Sequence, residues 1–454
     1  MRGRQGSSGP PSARYLALSI LNRADSEGAF LEPLLDAVLN RRTDLAEPDR
    51  RFLTDLVYGT VRMRNRLDWI IGHLYRGRPE RLEAVLKNLL RLGLYQVLVQ
   101  DRVPGFAAVN ETVELAKRVL PGRENLVNAV LRNALRKAGD IPWPDRREDP
   151  AGFISVYHSH PRWLVVRWLE RYGTEETALL CGKNNVPPPL TLRVHPAVSP
   201  DRVLGELRAL GIEAGRGRYA PRAVVCPGRG AAVREYVLSR GDRVTFQDEA
   251  SQLMAGLVDP RQGQAVLDLC AGTGRKTLQM AEDMGNRGYI LAVDIHQRKA
   301  EMLKEAARDR GWSIVDTLAA DGTGDPAPRW HGKFDRVLLD APCTGSGTVR
   351  RKPEIRWRVG EGEMASLVLL QKRLLSAAAR YVKEKGRIVY GTCSLLREEN
   401  EDVVAAFLEA RPDFRRLDLT RRVPGELLEG KTVFRTFPHR HDMDGFSAVV
   451  LEKT

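Results

Sequence analysis

Cysteine is scarce in this chain: five residues, Cys181, Cys226, Cys270, Cys343 and Cys393, among 454. The number is odd and no pair stands at CxxC spacing, which argues against a disulfide framework and against a zinc cluster. No metal is expected, and a reducing cytoplasm is the expected home. Long apolar runs are missing too. No stretch approaches the ~20 apolar residues that span a bilayer. The first residues, MRGRQGSSGPPSAR, are basic but lead into no apolar h-region of the kind an export signal needs. A soluble chain with no membrane partner is expected. Internal repeats are absent, and low complexity is confined to that short N-terminal tail.

What is present begins with size. A length of 454 residues predicts two or three domains, and a hydrophobic fraction of 43% lets each build a core unaided. Lys and Arg number 72 against 58 Asp and Glu, a net charge of +14. A polyanionic partner, nucleic acid above all, fits that excess. A generally soluble, slightly basic surface fits it equally well. The run RRKPEIRWR (350–358), with five basic residues and one acid, tips the balance toward RNA or DNA.

The first third reads as helix throughout. Residues 82, 85, 86, 89, 90, 94, 97 and 98 are apolar at helical spacing, which predicts one buried face. Further helices are expected at 13–23, 30–40, 48–73, 106–119 and 123–138. An all-α domain, 1–140, then ends in IPWPDRREDP, three prolines in ten residues. The stretch 151–245 mixes helices (161–172, 175–184) with short strand candidates TLRVH, AVVCP and RVTFQ, and reads as a small α+β domain. From 246 to 454 strands alternate with helices: AVLDLC (265–270), GYILAVD (288–294), SIVDTLAA (313–320), DRVLLD (335–340) and RIVYGTCS (387–394), with helices near 275–284, 296–310, 361–384 and 398–410. That alternation predicts an α/β fold, a doubly wound, Rossmann-like parallel sheet whose ligands sit beyond the carboxyl ends of its strands.

After the first of those strands comes DLCAGTGRKT (268–277). Gly272 and Gly274 at the turn let the backbone approach a ligand with no Cβ in the way. Asp294 closes the second strand, where a carboxylate can accept hydrogen bonds from both ribose hydroxyls. Asp321, after the third, is placed for the adenine end. A single acid at a strand end is usually a helix cap; two at successive ends beside a glycine turn favour a nucleoside cofactor. S-adenosyl-L-methionine (SAM) fits better than NAD or ATP, because the chain has neither a dinucleotide fingerprint nor a Walker lysine motif.

Cys343 follows the fourth strand and Cys393 ends the fifth, so both thiols should open into the cofactor crevice. Cys181, Cys226 and Cys270 are read as small buried hydrophobes, as most free cysteines are. The other two suit pyrimidine methylation. Carbon 5 of cytosine is a poor nucleophile until a thiolate adds to carbon 6 and makes the ring an enamine that can attack a methyl sulfonium. Asp340 could serve the ring edge, and Lys276 could add positive charge nearby. A base stacked in a helix would first have to be flipped out.

Three strings carry a resemblance. DAPCTGSGTVRRKPEIRWR, YGTCSLLREENE and FPHRHDMDGFSAVVLEK resemble the motifs of bacterial RNA (cytosine-5)-methyltransferases, and VLDLCAGTGRKT resembles their cofactor motif less closely. In the N-terminal half, DRRFLTDLVYGTVRMRNRLD, LLRLGLYQVL, AAVNETVELAKR and LVNAVLRNALR are similar to the NusB-like helical domain of one branch, the Sun/Fmu type of 16S rRNA methyltransferase. HPRWLVVRWLERYG and NNVPPPLTLRVHP resemble its linker domain.

The resemblance implies that Cys393 is the nucleophile and that Cys343 assists product release. It implies that Asp340 contacts the cytosine edge with Lys276 close to the base, and that Asp294, Asp321 and Asp340 lie at the SAM site. The turn Cys270, Ala271, Gly272, Thr273, Gly274, Arg275 and Lys276 would then surround the methionine end. Asp444 and Gly445 are implied as support. The family turn usually reads CAAPGGKT; here Gly272, Thr273 and Arg275 replace alanine, proline and glycine. Arg275 either points outward toward RNA phosphate or weakens donor binding. Gly391, where serine is common, should be harmless.

The leading expectation is SAM-dependent methylation of a cytosine carbon 5 in 16S rRNA, free or in a small-subunit assembly intermediate, by a monomer. Residues 1–140 hold 23 basic and 16 acidic side chains, a net of +7, and would add RNA-binding surface. A NusB-like RNA-binding or antitermination factor with an inactive methyltransferase half is the alternative, favoured by Arg275 alone. Methylation of a protein or small molecule leaves the paired cysteines unexplained.

Overall fold

The structure, a computed structural model, describes residues 12–454 apart from Arg102, Arg229, Pro326 and Ala327. Most of the basic N-terminal tail (1–11) lies outside the described residues. The chain forms two compact units, one of residues 1–185 with 352–358, the other of residues 186–351 with 359–454.

The first unit is helical: Ala13–Glu27, Leu31–Arg41, Glu47–Arg62, Arg64–Leu74, Ala84–Leu98, Gly105–Val119, Glu124–Lys137, Pro150–Tyr157 and Arg162–Asn184, the last broken at Gly173 (φ +77°, ψ 175°) as the expected helices 161–172 and 175–184 require. The run expected as one helix over 48–73 breaks at Met63 (φ −95°, ψ 11°). The break lets Leu53, Leu56 and Val57 reach the same core as Leu67, Ile70 and Ile71 from two helix directions. Helix 84–98 lies at the centre, with Leu86, Leu89, Leu90, Leu92 and Leu94 buried. Its one polar edge is satisfied internally, because Arg91 makes a two-pronged pair with Asp68 (2.6 and 2.7 Å) and donates to Asn88. The unit continues past residue 140: Asn65 Nδ2 donates to the Ser155 carbonyl at 2.9 Å, and Arg66 stacks over Tyr157.

Residues 352–358 belong to this helical unit, and much of the basic charge of RRKPEIRWR is turned inward. Arg356 is 2% exposed; its guanidinium donates to the Ser159 carbonyl (2.9 Å), the Asn185 side chain (3.0 Å) and the Asn184 carbonyl (3.3 Å). Burial pulls it down to about 9. Trp357 Nε1 donates to the Val61 carbonyl, and Glu354 accepts from the Leu31 N–H. In the second unit Arg350 is equally buried and pairs with Asp442. Of the five basic residues only Lys352 and Arg358 are exposed. Clustered charge in sequence carries no record of which guanidinium groups find carbonyl acceptors inside.

The second unit holds two sheets. The smaller has strands β1 (Leu190–Val194), β2 (Gly215–Arg216), β3 (Ala223–Cys226) and β4 (Val244–Phe246) in the order β2-β3-β1-β4, all antiparallel, with helices Pro200–Ala209 and Ala231–Arg240. The larger has β5 (Ala265–Asp268), β6 (Tyr289–Asp294), β7 (Val315–Ala319), β8 (Phe334–Asp340), β9 (Val382–Thr392), β10 (Phe414–Arg416), β11 (Leu428–Glu429), β12 (Val433–Arg435) and β13 (Ser447–Lys453). Its order is β11-β12-β13-β9-β8-β5-β6-β7, with β10 against β13. β5 to β9 are parallel; β13 runs antiparallel to β9.

Alternation along the strands explains the double winding. Val266, Ile290, Leu338 and Val389 face a core shared with helices Glu249–Leu257, Arg275–Asp283 and Gln297–Asp309. Their neighbours Leu267, Leu291, Val337, Leu339 and Ile388 face the opposite core, under helices Glu361–Tyr381 and Glu401–Ala410. Burial on both faces is what near-continuous apolar strands require. The helix expected to 384 stops at Tyr381 because β9 begins at once with Val382. The order reverses at β5, with β6 on one side and β8 on the other, so the crevice opens beyond Asp268 and Asp340.

Candidate active site

The turn after β5 lies across the carboxyl ends of its neighbours. Leu269 N–H donates to Leu338 O on β8, and Ala271 N–H to Val293 O on β6, each at 2.9 Å. Gly272 (φ +58°) and Gly274 (φ +80°) take left-handed conformations, and a Cβ on Gly274 would collide with Leu303. On Gly272 a Cβ would meet open space, which leaves that backbone approachable. Cys270, Ala271 and Gly272 are half-buried, and Thr273 and Arg275 are exposed. Among the described residues the Arg275 side chain makes no hydrogen bond or ion pair. Cys270 is thus not fully buried as expected of it, although burial among the strand-end carboxylates pushes its thiol up.

Asp294 holds this turn: its Oδ2 accepts the Gly272 N–H at 2.8 Å and its Oδ1 the His296 N–H at 2.9 Å. Asp321 is exposed and accepts from both the backbone and the hydroxyl of Thr323 at 2.8 Å. The sequence reading missed two neighbours. Asp268, 1% exposed, accepts from Thr277 Oγ1 at 2.7 Å and has no partner for its other oxygen. Burial pushes it up to about 7. Ile295, beside Asp294, is a large apolar side chain left 64% exposed. Only burial could reveal the first, and only the lack of cover the second.

On the other side of the crevice, Lys276 Nζ lies 2.5 Å from Asp340 Oδ2 and 5.3 Å from the centre of the Phe446 ring. Burial works against its ammonium charge, but Asp340 and an ionised Cys393 favour that charge and raise it on balance. Cys343 Sγ and Cys393 Sγ are 3.4 Å apart, both half-buried. The hydrogen bond to Cys393, with burial, pushes the Cys343 thiol well up. Lys276, Asp340, Cys343 and Cys393 are therefore one constellation at the carboxyl ends of β8 and β9, and Asp294 and Asp321 stand at the ends of β6 and β7.

The loop carrying Cys343 is laced to the end of β9. Ala341 N–H donates to Gly391 O and Gly347 N–H to Cys393 O, each at 2.9 Å. Gly347 and Gly445 approach so closely that a Cβ on Gly347 would clash with the Gly445 backbone. Asp444 accepts from Arg351 (3.0 Å), which also reaches Asp248 (2.9 Å). Burial and the Asp444 charge push Asp248 up to about 7 against the pull of Arg351. Gly391 packs on Met254, whose methyl would meet a Cβ there, so a serine at 391 would require Met254 to shift.

Among the described residues no helix is long and apolar enough to cross a membrane. Family models match along the chain: NusB family over 11–136, the RsmF/B-like ferredoxin-like domain over 160–230, and 16S rRNA methyltransferase RsmB/F over 255–452. A Bacillus subtilis relative described as "Probable ribosomal RNA small subunit methyltransferase B" is 35% identical over 97% of this chain and 99% of its own length. A Pseudomonas putida protein described as "Ribosomal RNA small subunit methyltransferase B" is 35% identical over 90% of each. The crystal structure of PH0851 superposes with a TM-score of 0.80, at 28% identity over 99% of this chain and 100% of that one. NSun6 from Pyrococcus horikoshii with SFG shares the fold, with a TM-score of 0.56 at 20% identity over 64% of this chain and 98% of its own.

Proposed function

The chain belongs to the 16S rRNA methyltransferase RsmB/F family of SAM-dependent enzymes, and we propose that it methylates carbon 5 of a cytosine in small-subunit rRNA through a covalent Cys393 adduct. The observation that carries the reading is the pair of sulfurs 3.4 Å apart, beside Lys276 and Asp340, in the crevice at the switch point.

The residues suit a nucleoside sulfonium. The unpartnered Asp268 oxygen, the open backbone at Gly272 and the acid at the end of β6 fit its ammonium, its methionine end and its ribose in turn. Cys270, Ala271, Gly272, Thr273, Gly274, Arg275 and Lys276 would surround the methionine end, with Asp340 bordering it. Asp294 would hold the ribose, with Asp321 and the exposed Ile295 at the adenine. SAM, when bound, would supply an electrophilic methyl group, its sulfonium sulfur keeping the bonding pair and leaving as a neutral thioether.

Cys393, as a thiolate, adds to carbon 6 of the cytosine. The Lys276 ammonium, attracted to that anion, steadies it. Asp340 holds the amine edge of the ring as electron density moves to carbon 5, where the new carbon–methyl bond forms. The proton on carbon 5 then passes to solvent water, the 5,6 double bond re-forms, and the Cys393 sulfur departs with its bonding pair, helped by a hydrogen bond from the neutral Cys343 thiol 3.4 Å away.

On this reading 1–140 adds RNA-binding surface, 151–245 links it, and 246–454 carries the chemistry. The partner is 16S rRNA or a small-subunit assembly intermediate, met in the cytoplasm by a single copy of the chain. Arg275 gives the binding-factor reading no support here, because its side chain is exposed. The test is to incubate the protein with labelled SAM and unmodified small-subunit rRNA, then digest the RNA to nucleosides. Label in 5-methylcytidine is the expected result; tight RNA binding with no transfer defeats the proposal.

A further inference from the structure

Glu399 has no place in the chemistry above, yet it is a carboxylate with 0% exposure at the back of the constellation. Its Oε1 accepts the Thr344 N–H at 2.8 Å and Gln371 Nε2 at 3.0 Å, and its Oε2 accepts the Thr344 hydroxyl at 2.6 Å. Three donors converge on the two oxygens, which is how an anion rather than a carboxylic acid is satisfied. Gln371 also donates to the Pro342 carbonyl at 2.9 Å. The residues on either side of Cys343 are thus both tied to this one group. The tie continues to the other cysteine: Thr344 Oγ1 lies 3.3 Å from Ser394 Oγ, which is 3.0 Å from Ser346 Oγ, and Ser394 follows Cys393.

We propose that Glu399 is a positioning residue that holds the Cys343 loop against the end of β9 and, by its charge, keeps Cys343 a neutral thiol, so that Cys393 alone serves as the thiolate. The division of labour rests on the cytosine reading; the electrostatic effect does not. Two cysteines 3.4 Å apart cannot both ionise readily, since each anion opposes the other. What decides between them is the rest of the field. Cys393 faces the Lys276 ammonium, itself paired with Asp340, whereas Cys343 is pushed up by its hydrogen bond with Cys393 and by burial, and further by an ionised Cys393 and the Glu399 carboxylate. The nearby Tyr390 phenol is held neutral chiefly by burial, with the Cys343 sulfur and the Glu399 and Glu401 carboxylates adding to it. The Gly345 backbone alone works in the other direction on Cys343.

The test needs no RNA. In full-length Cys393→Ser protein, the rate of Cys343 alkylation by iodoacetamide is followed against pH by peptide mass spectrometry. Glu399→Gln keeps the shape and most hydrogen bonds but removes the charge. It should lower the pH midpoint by about one unit, the order expected for removing one nearby charge in a protein interior. An unmoved or raised midpoint overturns the proposal. Should that variant fail to fold, Thr344→Val removes a donor that shares the carboxylate's charge. It should raise the midpoint, and one that stays or falls overturns the proposal. Methylation assays on the Glu399→Gln chain are read separately, so failure of the cytosine reading and failure of this one are distinguishable.

Discussion

Cys343 Sγ and Cys393 Sγ meet at 3.4 Å across fifty residues of sequence because β8 and β9 are parallel neighbours and each thiol lies just beyond its strand's carboxyl end. The loop after β8 then advances past the end of β9, with Ala341 N–H on Gly391 O and Gly347 N–H on Cys393 O, so the spacing is fixed by backbone hydrogen bonds rather than by the thiols themselves.

Unequal roles for the two sulfurs predict unequal mutants. Cys393→Ala should abolish methyl transfer. Cys343→Ala should let a covalent protein–RNA species accumulate, visible as a retarded band on a denaturing gel with labelled RNA. If Cys343→Ala turns over freely and Cys393→Ala traps RNA, the roles are reversed.

Asp294 both orders the glycine turn and borders the proposed ribose site. Asp294→Ala should weaken SAM binding at least tenfold by calorimetry, about the loss of one or two charge-assisted hydrogen bonds. Asp321→Ala, at an exposed position, should cost less. Equal losses would contradict the stronger role given to Asp294.

Arg275 replaces a family glycine and is exposed on the first turn of helix 275–283. Arg275→Gly should leave SAM affinity within a factor of about two, since no contact to the turn is lost. RNA affinity should fall, with a salt slope smaller by roughly 0.7–0.9, the effect of one phosphate contact. A gain in SAM affinity of tenfold or more would instead mark Arg275 as an obstruction at the donor site.

Asp268 is pushed up to about 7 by burial, so through the interval from the usual carboxylate range to about 7 the folded chain holds a proton that the unfolded chain has released. Stability therefore falls as pH rises through that window, and the penalty is complete above it. Asp268→Asn should melt above the parent at pH 8, and the advantage should vanish on acidification to pH 4. A difference independent of pH would mean that Asp268 is not the group responsible.

Much of this was legible in the sequence, for physical reasons. β5 to β9 showed as apolar runs of strand length because they are buried on both faces. The glycine turn and the two cysteines showed because they sit where such strands end. β13 escaped notice as a strand: SAVVLEK was seen only as the end of a motif, since nothing local says that it inserts antiparallel beside β9. The burial of Arg350 and Arg356 was not legible, because a guanidinium buried among carbonyls has the same letter as one on the surface. Glu399 and Asp268 were invisible for a related reason, as their partners and their burial exist only once the strands have assembled.

The seven residues that complete the helical unit follow Asn185 only after 166 others, residues 186–351. A ribosome adding about 5–20 residues per second therefore delivers Arg356 and Trp357 roughly 10–30 s after the rest of that unit has emerged. Until then the Ser159 and Asn184 carbonyls lack the guanidinium they accept from, and the Val61 carbonyl lacks its indole N–H. The N-terminal unit of this chain is the first to be begun, yet it stays unfinished until most of the second unit has been synthesised. A copy truncated after β8 would carry helices whose packing the ribosome never completed.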